Sequence, residues 1–151
     1  MAIRERLAEL GISLPSVAAP AGSYVPAART GSLVYTAGQV PVVDGKVVAT
    51  GKVGADVTPE DAAGLARICA LNALAAIDAL VGLESVVRVV KVVGFVASAP
   101  GFTGQPGVIN GASDVLAEIF GENGKHARSA VGVAELPLGV PVEVELIVEV
   151  A

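Results

Sequence analysis

Residues 86–97 constrain the fold more than any other segment. The run Val86-Val87-Arg88-Val89-Val90-Lys91-Val92-Val93-Gly94-Phe95-Val96-Ala97 is apolar almost throughout, and only Arg88 and Lys91 interrupt it. It reads as a strand. Alternation places Val86, Val90, Val92 and Val96 on one face and Val87, Val89, Val93 and Phe95 on the other. A strand that is apolar on both faces requires cover on both sides.

The rest of the chain offers two long helices to provide that cover. Thr58-Pro59-Glu60-Asp61 opens the first, with Thr58 as cap, Pro59 in the first turn and two acids at the positive end of the dipole. It runs to about Val81 and stops at Gly82. Glu60, Gly64, Arg67 and Asp78 form one narrow stripe on an otherwise apolar helix, so most of it is expected to be buried. The second spans roughly 106–120, turns Val108, Ile109, Ala112, Val115, Leu116, Ile119 and Phe120 inward, and ends at Gly121.

Shorter elements complete the pattern. Ala2 to Leu10 reads as an amphipathic helix stopped by Gly11, and residues 12–22, with Pro15 and Pro20, as an extended arm. Tyr24 to Arg29 and Ser32 to Thr36 read as strands. Val42-Val43 and Lys46-Val47-Val48 flank Asp44-Gly45, the dipeptide that accepts the positive φ of a type I′ hairpin turn. Arg128 to Leu136 and Val140 to Val150 are expected to form a hairpin across Pro137-Leu138-Gly139. The fold class is therefore α+β, a mixed sheet covered on one face by two main helices. Two helices do not cover both faces, so the open face is expected to be closed by another subunit in a cyclic assembly.

At 151 residues the chain fits one domain, and 53% hydrophobic against 17% charged residues excludes disorder. The net charge is −5, and the ten Lys and Arg residues form no cluster. That is poor footing for nucleic-acid binding, where clustered cations supply most of the affinity. The single cysteine, Cys69, allows no internal disulfide or cysteine metal cluster and reads as a core residue. The N-terminus lacks a signal-peptide pattern, and no apolar run is read as long enough to span a membrane. A soluble cytoplasmic protein with no metal and no cofactor is expected.

One cation stands out. In His126-Ala127-Arg128-Ser129-Ala130-Val131 an arginine sits among small residues before the last strand. A guanidinium is always charged and its planar fork suits bidentate carboxylate binding, which makes Arg128 the centre of a candidate small-carboxylate site. His126 reads as a rim residue. With a simple hairpin between the last two strands, Arg128 shares a face with Val144 and Val148, whereas Glu143 lies on the other. The two would then meet only through a bulge or across two subunits.

Several segments together resemble one family. They are Gly22-Ser23-Tyr24-Val25, Gly31-Ser32-Leu33-Val34-Tyr35-Thr36-Ala37-Gly38-Gln39-Val40-Pro41, Ala127-Arg128-Ser129, Leu136-Pro137 and Val142-Glu143-Val144-Glu145. They resemble the YjgF/Rid superfamily, the reactive-intermediate deaminases also called L-PSP endoribonucleases. The resemblance covers about residues 20–150. It divides the chain into an N-terminal helix and arm (1–19) and a YjgF/Rid-like domain (20–151). It implies a chorismate-mutase-like fold, a homotrimer with intersubunit clefts, and hydrolysis of 2-imino or enamino acids to 2-keto acids and ammonia without cofactor. By position it implies that Arg128 binds the substrate carboxylate and Glu143 positions water. Tyr24, Gly38, Asn110 and Ala130 would line the cleft. Two positions depart from the family pattern: Ala37 stands where serine is common and Ala130 where cysteine is common. An alternative is therefore a non-catalytic module that binds small carboxylate metabolites. An endoribonuclease is disfavoured by the charge distribution.

Overall fold

The structure is a computed structural model that describes residues 2–151; Met1, the first residue of the expected N-terminal unit, lies outside them. The chain runs α1 (Ile3–Glu9), β1 (Ala27–Thr30), β2 (Leu33–Thr36), β3 (Val42–Val43), β4 (Lys46–Val47), α2 (Pro59–Val81), β5 (Val86–Ala97), α3 (Gln105–Phe120), β6 (Ala127–Val133) and β7 (Val142–Val150).

Local signals act as their chemistry dictates. Thr58 Oγ1 accepts a hydrogen bond from Asp61 N (3.1 Å) at the start of α2, and the helix ends at Gly82 with φ 80°. In the β3–β4 hairpin both turn residues have positive φ, Asp44 at 51° and Gly45 at 78°, as a type I′ turn requires. The first strand is shorter than expected: it begins at Ala27, and Tyr24 lies in the bends before it.

Five strands form one mixed sheet in the order β1-β2-β7-β5-β6, and β3-β4 stand apart. α2 and α3 pack together over one face. Val34, Val89, Val92, Val96, Val142, Val144, Leu146, Val148 and Val150 point into that layer and are buried. They meet Leu65, Leu74 and Ile77 of α2 and Val108, Ile109 and Leu116 of α3. α2 is in fact long and apolar enough to cross a membrane by length and composition, contrary to the expectation, and its packing on the sheet accounts for that apolarity.

Two further expectations are corrected. The last two strands do not form a hairpin. β5 lies between them, parallel to β6 and antiparallel to β7. The loop at 137–139 therefore carries the chain past β5 rather than back along β6. β5 also does not alternate regularly: its register shifts between Val86 and Arg88 and again between Val89 and Lys91. These irregularities bring Val89 onto the same buried face as Val92 and Val96, and leave Val87 exposed. On the uncovered face, Tyr35, Lys91, Val93, Phe95, Val131, Glu143, Glu145 and Ile147 remain partly or fully accessible.

Candidate functional site

Arg128 lies on β6, opposite Val92 of β5, and its side chain reaches α3 on the helix-covered side. Nη1 donates to Asn110 Oδ1 (2.8 Å) and to Ser113 Oγ (3.2 Å), and Nη2 donates to the Pro106 carbonyl (3.3 Å). Among the described residues no carboxylate pairs with Arg128. Of the five guanidinium hydrogens, the one on Nε and one on Nη2 have no partner there. The Asn110 amide nitrogen is equally free, because its oxygen alone is engaged. The result is a half-buried cation held by neutral acceptors, with donors left for an incoming anion.

Ser113 and His126, which are not among the site residues expected from the sequence, belong to this cluster. His126 Nδ1 lies 2.6 Å from the Gly124 carbonyl, which only a protonated Nδ1 can satisfy. In the neutral ring Nε2 is then an acceptor, 2.9 Å from Ser113 Oγ, so the serine donates its proton to His126 and turns a lone pair to Arg128. Both signals were present in the sequence. Ser113 is three residues after Asn110 on a helix and so shares its face. His126 is two residues before Arg128 in a strand-like segment and so points to the same side.

Glu143 is on the other side of the sheet. It lies opposite Phe95 on the uncovered face, between the buried Val142 and Val144. Gln39 and Val144 exchange backbone hydrogen bonds (2.8 and 3.0 Å), which sets Gly38 against the Glu143 carboxyl. A Cβ at position 38 would lie 2.9 Å from Glu143 Cδ, so a side chain there would displace the carboxyl group. Partial burial raises the Glu143 pKa above the ordinary glutamate value, and the neighbouring Glu145 charge adds to the rise. No cation pairs with Glu143 among the described residues.

The expected site residues thus fall into separate groups within one chain. Arg128 and Asn110 meet directly, and Gly38 meets Glu143. Arg128 and Glu143 face opposite sides. That face assignment holds even though the hairpin from which it was argued does not exist. Ala130 lies two residues beyond Arg128 on the same face and packs partly against the core. Tyr24 precedes β1, and its hydroxyl accepts from Ala21 N (3.1 Å). β1 and β6 are opposite edges of the sheet, four strand spacings or about 19 Å apart. Cys69 is fully buried, with its thiol pKa raised by that burial and further by Glu143, which suits an inert core residue.

Comparison with known proteins matches this architecture. Residues 4–150 match the family described as "YjgF/chorismate mutase-like, putative endoribonuclease". The chain is 45% identical over 149 residues to "Protein TCP17" of Trypanosoma cruzi, covering 97% of this chain and 93% of that protein. A Shewanella oneidensis structure named as an endoribonuclease is 34% identical, with a TM-score of 0.95 over 99% of this chain and 100% of that one. E. coli TdcF, solved with bound serine, is 29% identical with a TM-score of 0.63, over 92% of this chain and 96% of that one. A family match across almost the whole sequence, joined to the mixed sheet with its two covering helices, makes the chain a member of the YjgF/chorismate mutase-like family.

Proposed function

We propose that the protein hydrolyses small 2-imino or enamino acids to 2-keto acids and ammonia, at a cleft that two copies of the chain complete. The observation that carries this reading is the Arg128 guanidinium, anchored by Asn110, Ser113 and Pro106 yet unpaired with any acid among the described residues. Bound serine in E. coli TdcF, a molecule with an α-carboxylate, is consistent with that anion preference.

In this reading the substrate carboxylate bridges the free Arg128 donors, which fixes the adjacent C2 carbon. An enamino acid reacts as its imine tautomer, with a proton gained at C3 and one lost from nitrogen. Water adds to C2, its oxygen forming the new bond while the C=N electron pair moves to nitrogen. Glu143 takes the proton that water releases. Glu143 passes that proton to the nitrogen, which gives the neutral carbinolamine. The hydroxyl proton then moves to nitrogen through Glu143 as the C–N bond breaks, the keto group forms and ammonia departs. A raised pKa makes Glu143 a better base than an ordinary carboxylate and a readier proton donor. Because Arg128 and Glu143 face opposite sides of one sheet, Glu143 would come from the neighbouring copy. Closure into a homotrimer would also cover the partly apolar open face. Tyr24, exposed at the far edge, would likewise reach Arg128 only from a neighbour.

The test is ammonia release from a 2-aminoacrylate-type intermediate generated in situ. Acceleration over buffer that disappears in Arg128→Ala is the expected result. Release no faster than buffer across several amino-acid-derived imines would overturn the reading. The alanines at 37 and 130 favour a second reading, a carboxylate-binding module without turnover, because neither supplies a hydroxyl or thiol to the cleft. Calorimetry with 2-keto acids that shows saturable binding beside absent turnover would select it.

A further inference from the structure

A cavity lies elsewhere in the fold. The N-terminal arm and the β3–β4 hairpin stand over the middle of α2 and leave a cavity of about 510 Å³. None of its lining residues belongs to α3 or β6, which carry the Arg128 cluster. Its walls are mainly apolar, with Val17 from the arm, Val40, Val42 and Val47 from the hairpin region, and Ile68 and Leu71 from α2. Among the described residues the one charged residue lining it is Asp44, exposed at the hairpin turn. A volume of this order is that of a small-molecule site.

One polar side chain at the cavity has unmet capacity. Asn72 is 2% exposed, and its Nδ2 donates to the carbonyls of Val40 and Val42, each at 3.1 Å. Those two bonds orient the amide, and its Oδ1 has no donor among the described residues. No fully enclosed side-chain nitrogen or oxygen lacks a partner there, so Oδ1 is not wholly enclosed. Asn72 is one of the residues that line the cavity. An amide oxygen that has no protein donor and is not wholly enclosed can accept from a ligand donor.

We propose that this cavity binds a small, neutral, largely apolar molecule that carries one N–H or O–H donor, with Asn72 Oδ1 as its polar anchor. A carboxylate is a poor occupant, because among the described residues no cation lines the walls and Asp44 would repel it. None of Arg128, Glu143, Tyr24 and Gly38 lines this cavity.

Indole and 1-methylindole test the proposal, since they match in shape and differ in the single donor. The chain contains no tryptophan, so their fluorescence is read against a clean background. Saturable indole binding is expected, with 1-methylindole about tenfold weaker for loss of one hydrogen bond to the buried acceptor. Ile68→Phe, which fills the cavity from α2, is expected to abolish indole binding while binding of 2-keto acids is unchanged. Equal affinity for the two indoles, absence of saturable indole binding, or wild-type indole binding by a folded Ile68→Phe would each overturn the proposal. The two-probe comparison on the wild-type protein stands even if Ile68→Phe fails to fold.

Discussion

Replacing Gly111 by alanine tests how closely α2 and α3 are packed. In an exposed helix the change would stabilise, since alanine exceeds glycine in helix propensity by about 1 kcal/mol. At Gly111, however, a Cβ would lie 1.9 Å from the Ala63 carbonyl oxygen and 2.6 Å from its carbon. Backbone cannot rotate away, so the two helices must separate by roughly 1.5 Å to restore ordinary contact. Val108, Ile109, Ala112 and Val115, all fully buried on α3, would lose contact with their neighbours. Overpacking of this kind costs about 3 kcal/mol, which leaves a net loss of about 2 after the propensity gain. For a domain of this size that is a fall in Tm of about 4–8 °C. Gly64 provides the control: it is exposed in α2, and a Cβ there would meet nothing within 4 Å. Gly64→Ala should raise Tm by about 2–4 °C. Thermal unfolding followed by circular dichroism reads both. If Gly111→Ala were as stabilising as Gly64→Ala, the packing argument would be wrong.

Three other outcomes follow from the same structure. Ser113→Ala and His126→Ala should each raise KM for ammonia release several-fold with little change in kcat, because both groups hold Arg128 rather than touch the reacting carbon; steady-state kinetics separates the two parameters. Arg128→Lys retains the charge but lacks the planar fork, and should bind 2-keto acids about tenfold more weakly in calorimetric titration. Glu143 has a folded-state pKa above its unfolded value, so the folded protein binds this proton more tightly. Its contribution to stability is therefore present below the ordinary glutamate pKa and is lost as pH rises through the raised one. Glu143→Gln should remove that part of the pH dependence of unfolding, as urea titrations across the acid range would show.

The sequence made local structure legible and left long-range pairing obscure. Asp44-Gly45 predicts its hairpin, and Thr58-Pro59 its helix start, because the deciding contacts lie within a few residues. The pairing of β6 with β5 has no such signal. Two adjacent apolar strands joined by a short loop imitate a hairpin, and nothing local reveals that β5 inserts between them. The shifts in β5 were equally hidden, since a run of valines reads the same in either phase. At the site, Arg128 was conspicuous as a charge among small residues. Ser113 and His126 were overlooked because their role depends on α3 crossing β6, although their spacings to Asn110 and Arg128 already placed them on the right faces.

If one site draws Arg128 and Glu143 from different copies of the chain, mixing of variant subunits restores it. Arg128→Ala and Glu143→Gln are each expected to abolish the acceleration of ammonia release. When the two inactive variants are unfolded together and reassembled in equal amounts, about one quarter of the interfaces would pair an intact Arg128 with an intact Glu143. Recovery of about that fraction of wild-type activity is expected. Mixed assemblies that remain as inactive as the separate variants would contradict it.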